Sequence, residues 1–150
     1  MGSGIMETPK LKLIAELTNG RAMGPGKIQL LEAIEKAGSI SQAGRNLGMS
    51  YTRAWLLVDD MNNCFRTPVI EAQSGGARGG RATLTPLGKK LIEQYRAIEA
   101  AASLATSKHL HEIEASLNTS TISRPTTSIK RSLRIAAGVT FGQLFSYKGG

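Results

Sequence analysis

Cysteine is almost absent from this 150-residue chain, where Cys64 stands alone. One thiol excludes an internal disulfide framework and fits a reducing cytoplasm. No histidine or basic residue adjoins Cys64, so it reads as an inert packed thiol. Long apolar runs are missing too, and none approaches the ~20 residues that a membrane span requires. Histidine is limited to His109 and His111. Positions i and i+2 point to different faces of a helix, and no further ligands stand at metal spacing, so surface histidines and no metal or cofactor are expected. No nucleophile–base pair or paired carboxylate set has catalytic spacing, because Asp59 and Asp60 are adjacent on a helix and point apart. An enzyme is not expected.

Acid is scarce: 11 Asp and Glu face 19 Lys and Arg, a net charge of +8 with a pI near 10.0. Such a balance suggests a polyanionic partner. Five of the cations (Arg124, Lys130, Arg131, Arg134 and Lys148) lie in a C-terminal stretch without acid, however. Up to Glu114 there are 14 basic and 11 acidic residues, or +3. Where the charges sit therefore matters more than their sum. From Ala37 through Val58 there is no acidic residue, and Arg45 and Arg53 are the only charges. A surface that meets phosphate needs that local lack of carboxylates.

The same region holds the stretch around which the chain is organised, Ser39 to Phe65. Ser39 is a good N-cap, and its spacing to Gln42 is that of a capping box. Ile40, Ala43 and Leu47 give a short helical stripe. Gly48 ends the helix in positive φ, Met49 fills the corner, and Ser50 caps a second helix. There Ala54, Val58 and Met61 share one face, while Thr52, Arg53 and Leu56 look elsewhere. Two short helices around a tight glycine turn are the helix-turn-helix signature, whose second helix reads the major groove. Two core helices of any α-helical domain would look similar.

Upstream, Leu11 to Leu17 alternates as a strand closed by Thr18-Asn19-Gly20. Arg21 to Gly26 reads as a glycine-rich loop. A helix starts near Lys27, carries Ile28, Leu31 and Ile34 on one face, and stops at Gly38. Lys27 opposes the dipole of that helix start; a solvated lysine is the preferred reading and a phosphate contact the alternative. Downstream, Val69 to Ala72 and Ala82 to Leu84 are two short strands around Ser74-Gly75-Gly76-Ala77-Arg78-Gly79-Gly80-Arg81, a long hairpin. Its four tip glycines are costly to order, so an exposed, mobile tip is expected. It could be merely solvated, or it could lay Arg78 and Arg81 on phosphates or in a narrow minor groove. A nucleotide-binding loop would end in Gly-Lys-Ser/Thr and open a helix. An RGG-type single-strand binder would bring repeats and aromatics. Neither pattern is present.

Thr85 caps a last helix with Pro86 at its first position, running to about Ala115. Leu91, Tyr95, Ile98, Ala102, Ala105 and His109 follow coiled-coil spacing. The helix outreaches a small domain, so its seam either pairs with that of a second subunit about a two-fold axis or folds back on its own domain. Residues 116–150 are basic and rich in Ser and Thr, and read as a mostly disordered tail. Met1 to Gly4 resembles a cloning scar.

GPGKIQLLEAIEKAGSISQAGRNLGMSYTRAWLLVDDMN, followed by GGARGGRATLTPLGKKLIEQY, resembles the N-terminal DNA-binding domain of bacterial molybdate-responsive transcriptional repressors. The resemblance covers roughly Leu11 to Leu110. Its most specific parts are Gly-Ser-Ile-Ser-Gln-Ala, Met-Ser-Tyr-x-x-Ala-Trp and the Gly-Gly-x-x-Gly-Gly element before Leu-Thr. It implies a mainly α fold with a small β-hairpin wing, a winged helix-turn-helix related to LysR-type regulators, over residues 11–85. A long dimerisation helix would follow over 86–115. Ser50, Tyr51, Thr52 and Arg53 would open the recognition helix and face DNA, with Arg78 and Arg81 on the wing. The seam from Leu91 to Ala105 would make the dimer. Trp55 borders the buried face of its helix, and packing is preferred for it over base contact. Full-length members of the family carry C-terminal oxyanion-binding domains. The residues after the long helix, 116–150, contain no strand series, so no molybdate pocket is expected in this chain.

These readings converge on a dimeric, double-stranded-DNA-binding transcriptional regulator of the bacterial cytoplasm, of repressor type, with its effector undetermined. The competing expectation is an interaction protein whose long helix pairs with a full-length regulator and modulates it.

Overall fold

The computed structural model describes residues 8–75 and 80–118. The tip arginine Arg78, the N-terminal scar and nearly all of the expected tail lie outside the described residues. The chain divides into two units, Met1–His111 and Glu112–Gly150. Of the second, Glu112 to Asn118 are described. There Ser116 and Leu117 donate their N–H groups to the carbonyls of Ile113 and Glu114, closing the helix end. No helix among the described residues is long and apolar enough to cross a membrane.

The first unit is a winged helix-turn-helix. The elements in chain order are β1 (Ala15–Glu16), β2 (Ala22–Met23), α1 (Pro25–Ala37), α2 (Ile40–Asn46), α3 (Tyr51–Cys64), β3 (Ile70–Gln73), β4 (Arg81–Leu84) and α4 (Pro86–Ala115). Helix α1 is the centre. Its Ile28, Leu30, Leu31 and Ile34 are fully buried, and α2, α3 and β4 pack around it. Ile40 and Ala43, then Ala54, Val58 and Met61, close the core from the helix-turn-helix side, with Val69, Ile70, Ala82 and Tyr95 from the hairpin and α4.

Local punctuation explains the helix ends. The Ser39 hydroxyl accepts from the N–H of Gln42 at 3.3 Å, and that of Ser50 from Arg53 at 3.2 Å. Gly48 adopts φ 65°, the left-handed value a tight helix exit favours. Thr85 caps α4 through the N–H of Gly88 at 3.2 Å, and its hydroxyl also donates to the Pro68 carbonyl at 2.9 Å. The reciprocal half of the expected capping box is not made. Gln42 instead reaches forward, donating to Asn46 at 2.7 Å and accepting from Arg45 at 2.8 Å.

Four expectations are corrected. The N-terminal strand is far shorter than Leu11–Leu17. Its side chains do alternate between half-buried and exposed, but only Ala15 and Glu16 find a partner strand. That partner, Ala22–Met23, lies where a loop was expected. A turn makes the pairing, with the N–H of Leu17 donating to Arg21 at 2.7 Å and that of Gly20 to Leu17 at 2.9 Å. Helix α1 begins at Pro25 rather than near Lys27, proline being well placed at a first helical position. The first hairpin strand is offset by one residue and the second begins one residue earlier, at Arg81, pairing Ile70 with Leu84 and Gln73 with Arg81. Val69 is outside the ladder because its polar groups are used elsewhere: its carbonyl accepts from Thr85 at 3.1 Å and its N–H donates to Asn62 at 2.9 Å.

Candidate nucleic-acid interface

Helix α3 divides along its length. Its first half turns Tyr51, Thr52, Arg53, Trp55 and Leu56 outward, while Ala54 and Val58 fill the core. Tyr51 and Trp55 meet edge to face, with ring centroids 6.1 Å apart at 61°. Ser50, at the cap, is exposed beside them. The four expected recognition residues Ser50 to Arg53 are thus together on one exposed turn.

The wing lies alongside. Arg81 opens β4, exposed and opposite Gln73. Between α3 and the hairpin is an open recess of about 240 Å³, lined among others by Tyr51, Trp55, Ser41, Gln73 and Arg81. Trp55 is therefore neither a core residue nor a free surface one; it forms the wall of α3 toward the wing.

The second half of α3 is tied down. Asn62 accepts from the N–H groups of Val69 (2.9 Å) and Ile70 (3.0 Å) and donates to the Ile70 carbonyl at 3.0 Å. This staple fixes the hairpin root to α3. Asp60 pairs with Lys27, whose Nζ lies 2.6 Å from Oδ2, and with Arg21. The Lys27 ammonium holds the Asp60 carboxyl below its ordinary range, burial opposing and Arg21 assisting. Asn19 donates to the Cys64 carbonyl at 3.0 Å, satisfying one C-terminal carbonyl of the helix.

Lys27 requires a correction. Its side chain is only 16% exposed, and its ammonium donates to Asp60 and, at 2.5 Å, to the Ala22 carbonyl. It is neither solvated nor presented to a phosphate, and it leaves the set of candidate DNA contacts. Its neutralising carboxylate stands 33 residues away in sequence, which is why the helix start looked unfavourable when read locally.

Along α4 the anticipated seam splits. Leu91 and Tyr95 pack against the domain's own core, and the Tyr95 hydroxyl donates to the Leu13 carbonyl at 2.6 Å. Burial pushes the Tyr95 phenol above its ordinary range. Ile98 and Ala105 are exposed and Ala102 is half-buried, with Leu104 exposed nearby. Arg96 clamps α4 to α1 through a bidentate pair with Glu32 at 2.8 and 2.7 Å, and also binds Glu99 at 2.6 Å. The Arg96 guanidinium lowers the Glu32 carboxyl, and these hydrogen bonds push Arg96 itself upward. His109 is exposed, and the Nδ1 of His111 lies 2.6 Å from the Ser107 carbonyl.

Sequence reading missed Asn62, Arg21 and the Arg96–Glu32 clamp. Asn62 did carry a signal: it stands four residues after Val58, on the buried side of an amphipathic helix, where a polar residue needs a partner.

The chain is 47% identical over 106 residues to the molybdenum-pterin-binding protein MopB of Rhodobacter capsulatus, covering 71% of this chain and 37% of that protein. The DNA-binding transcriptional dual regulator ModE of Escherichia coli is 41% identical over 71 residues, 47% of this chain and 27% of its own length. This chain is a homologue of the ModE and Mop proteins. It spans between about a quarter and little more than a third of the length of these relatives. No family model matches it. Among solved structures, the CbnR DNA-binding domain in complex with DNA aligns with a TM-score of 0.46 and 18% identity, covering 59% of this chain and 95% of that one.

Proposed function

We propose that the chain is a double-stranded-DNA-binding transcriptional regulator that inserts the first half of α3 into the major groove. The observation that carries this reading is the exposed turn Ser50–Arg53 within a stretch, Ala37 to Val58, that has no carboxylate. Arg53 reads base edges; a bidentate arginine–guanine contact is typically worth ~1–3 kcal/mol of discrimination. Arg81, on the wing, supplies phosphate attraction that is indifferent to sequence. Homology to ModE, a DNA-binding regulator in Escherichia coli, supports the same class.

The protein acts as a homodimer and as a repressor. The exposed part of α4 around Ile98, Ala102 and Ala105 packs on the same helix of a second copy, placing two recognition helices in successive major grooves about 34 Å apart.

Fluorescence anisotropy against the DNA upstream of its own gene and a scrambled duplex, over a range of salt and with or without molybdate, tests the reading. Specific binding is expected, with Arg53→Ala losing part of the preference over scrambled DNA and Arg81→Ala weakening both duplexes alike. Equal loss on both duplexes for Arg53→Ala would remove it as a base reader. A monomer by size-exclusion chromatography, unchanged by Ile98→Asp, would remove the dimer.

A further inference from the structure

The outward face of α3 is markedly apolar. Tyr51 is 62% exposed, Leu56 64% and Trp55 38%, and Thr52 is exposed as well. Positions 51 and 55, and 52 and 56, are i,i+4 pairs, so the four side chains form two adjacent rows. The core does not need them, since Ala54, Val58 and Met61 fill the inward side. Single exposed apolar side chains are ordinary, but a contiguous group marks a binding surface.

We infer that this surface reads thymine: Trp55 and Leu56, with Tyr51 braced edge-on against Trp55, receive thymine C5-methyl groups in the major groove. The inference rests on the DNA-binding reading and adds the base that α3 selects. Thymine alone offers a methyl group there, whereas the other bases present only donors and acceptors. An indole and an isobutyl group answer the first and not the second. The setting favours nucleic acid over a protein partner, because Arg53 and Arg81 flank the rows and no carboxylate precedes Asp59 on the helix. The recess of about 240 Å³ between Trp55 and Arg81 leaves space for the sugar and phosphate of the strand carrying the thymine.

Duplexes enriched on the full chain from a random-sequence library test this. In each enriched duplex the thymines are replaced one at a time by deoxyuridine, which removes only the methyl group. At one or more positions, binding is expected to weaken about fourfold, the worth of one buried methyl-sized group. Trp55→Ala or Leu56→Ala should abolish that penalty, while Arg53→Ala, though weaker overall, should retain it. Leu56 is largely in solvent, so its variant keeps the test available if Trp55→Ala misfolds by circular dichroism. Tight binding to an enriched duplex that tolerates every deoxyuridine would overturn the inference and leave the DNA-binding reading standing. A penalty that persists in both variants would do the same. No enrichment at all, with the chain self-associating in a way that Leu56→Asp abolishes, would overturn both and make α3 a protein interface.

Discussion

Replacing Asn62 by alanine should loosen the wing before it harms anything else. The side chain serves the N–H groups of Val69 and Ile70 and the Ile70 carbonyl, and both residues are buried. A buried donor left unsatisfied costs ~1–3 kcal/mol, and two donors are orphaned. Alanine returns ~0.5 kcal/mol of helix propensity. Because Asn62 is half-buried, water can enter and hold the penalty toward its lower end. The expected loss is about 2 kcal/mol, which for a domain of this size lowers Tm by roughly 10 °C. Guanidinium titration followed by circular dichroism measures the global term. Trp55, the one tryptophan, stands between α3 and the hairpin, so its fluorescence should change at lower denaturant than the helical signal. Asn63→Ala, its exposed neighbour, should shift stability by no more than ~0.5 kcal/mol. Matching losses for the two variants, or coincident fluorescence and circular dichroism transitions for Asn62→Ala, would refute the staple.

Acid should weaken the fold through Asp60 and Glu32. Both carboxyls are held below their ordinary values, by Lys27 and Arg96 respectively, so their contribution is complete above the unfolded pKa of ~4 and is lost as pH falls through the lower folded value. Thermal melts should therefore hold steady from neutral pH down to about 5 and fall below about 4, and Asp60→Asn with Glu32→Gln should flatten that decline. Gly88→Ala should be severely destabilising, because an added Cβ would lie 2.3 Å from the Val69 carbonyl oxygen. The contact is with backbone, so the hairpin root or α4 must move. A Tm within a few degrees of the parent would show that the approach is not required.

What could be read from the chain was local. Ser39, Gly48, Ser50 and Thr85-Pro86 were legible because caps and helix exits act over three or four residues, and each carries its own chemical signal. The exposed turn Ser50–Arg53 followed from the same marks. Polar partners far apart in sequence could not be read. Asp60 reaches Lys27 across 33 residues and Arg96 reaches Glu32 across 64, and only the packing of α1 decides that these groups meet. Tyr95 satisfied coiled-coil spacing and yet turned inward, because an aromatic on that row also fits the gap between α4 and the N-terminal segment, where Leu13 offers a carbonyl. Strand β2 escaped notice because two residues give no periodicity; its signal lay in the Asn19-Gly20 turn that precedes it.

The distribution of polar groups along α3 explains how one short helix can be both anchored and free. Among the described residues its ion pairs are at Asp60, and its other long-range side-chain bonds converge on Asn62 and Cys64. Lys27 comes from α1, Arg21 from the segment entering β2, and the bonded backbone from the hairpin root, so three separate parts of the domain grip the last turns. The first two turns are fixed by the Ser50 cap and by Ala54, Val58 and the half-buried Leu57 against the core. Carboxylates at the first turns would repel phosphate; Asp60 lies at the far end and is already matched by two cations. Holding α3 by its C-terminal half therefore leaves its N-terminal half chemically uncommitted, and the two functions fall on separate residues. Changes at 60 and 62 should act on stability and wing position, and changes at 51–56 on what the helix binds.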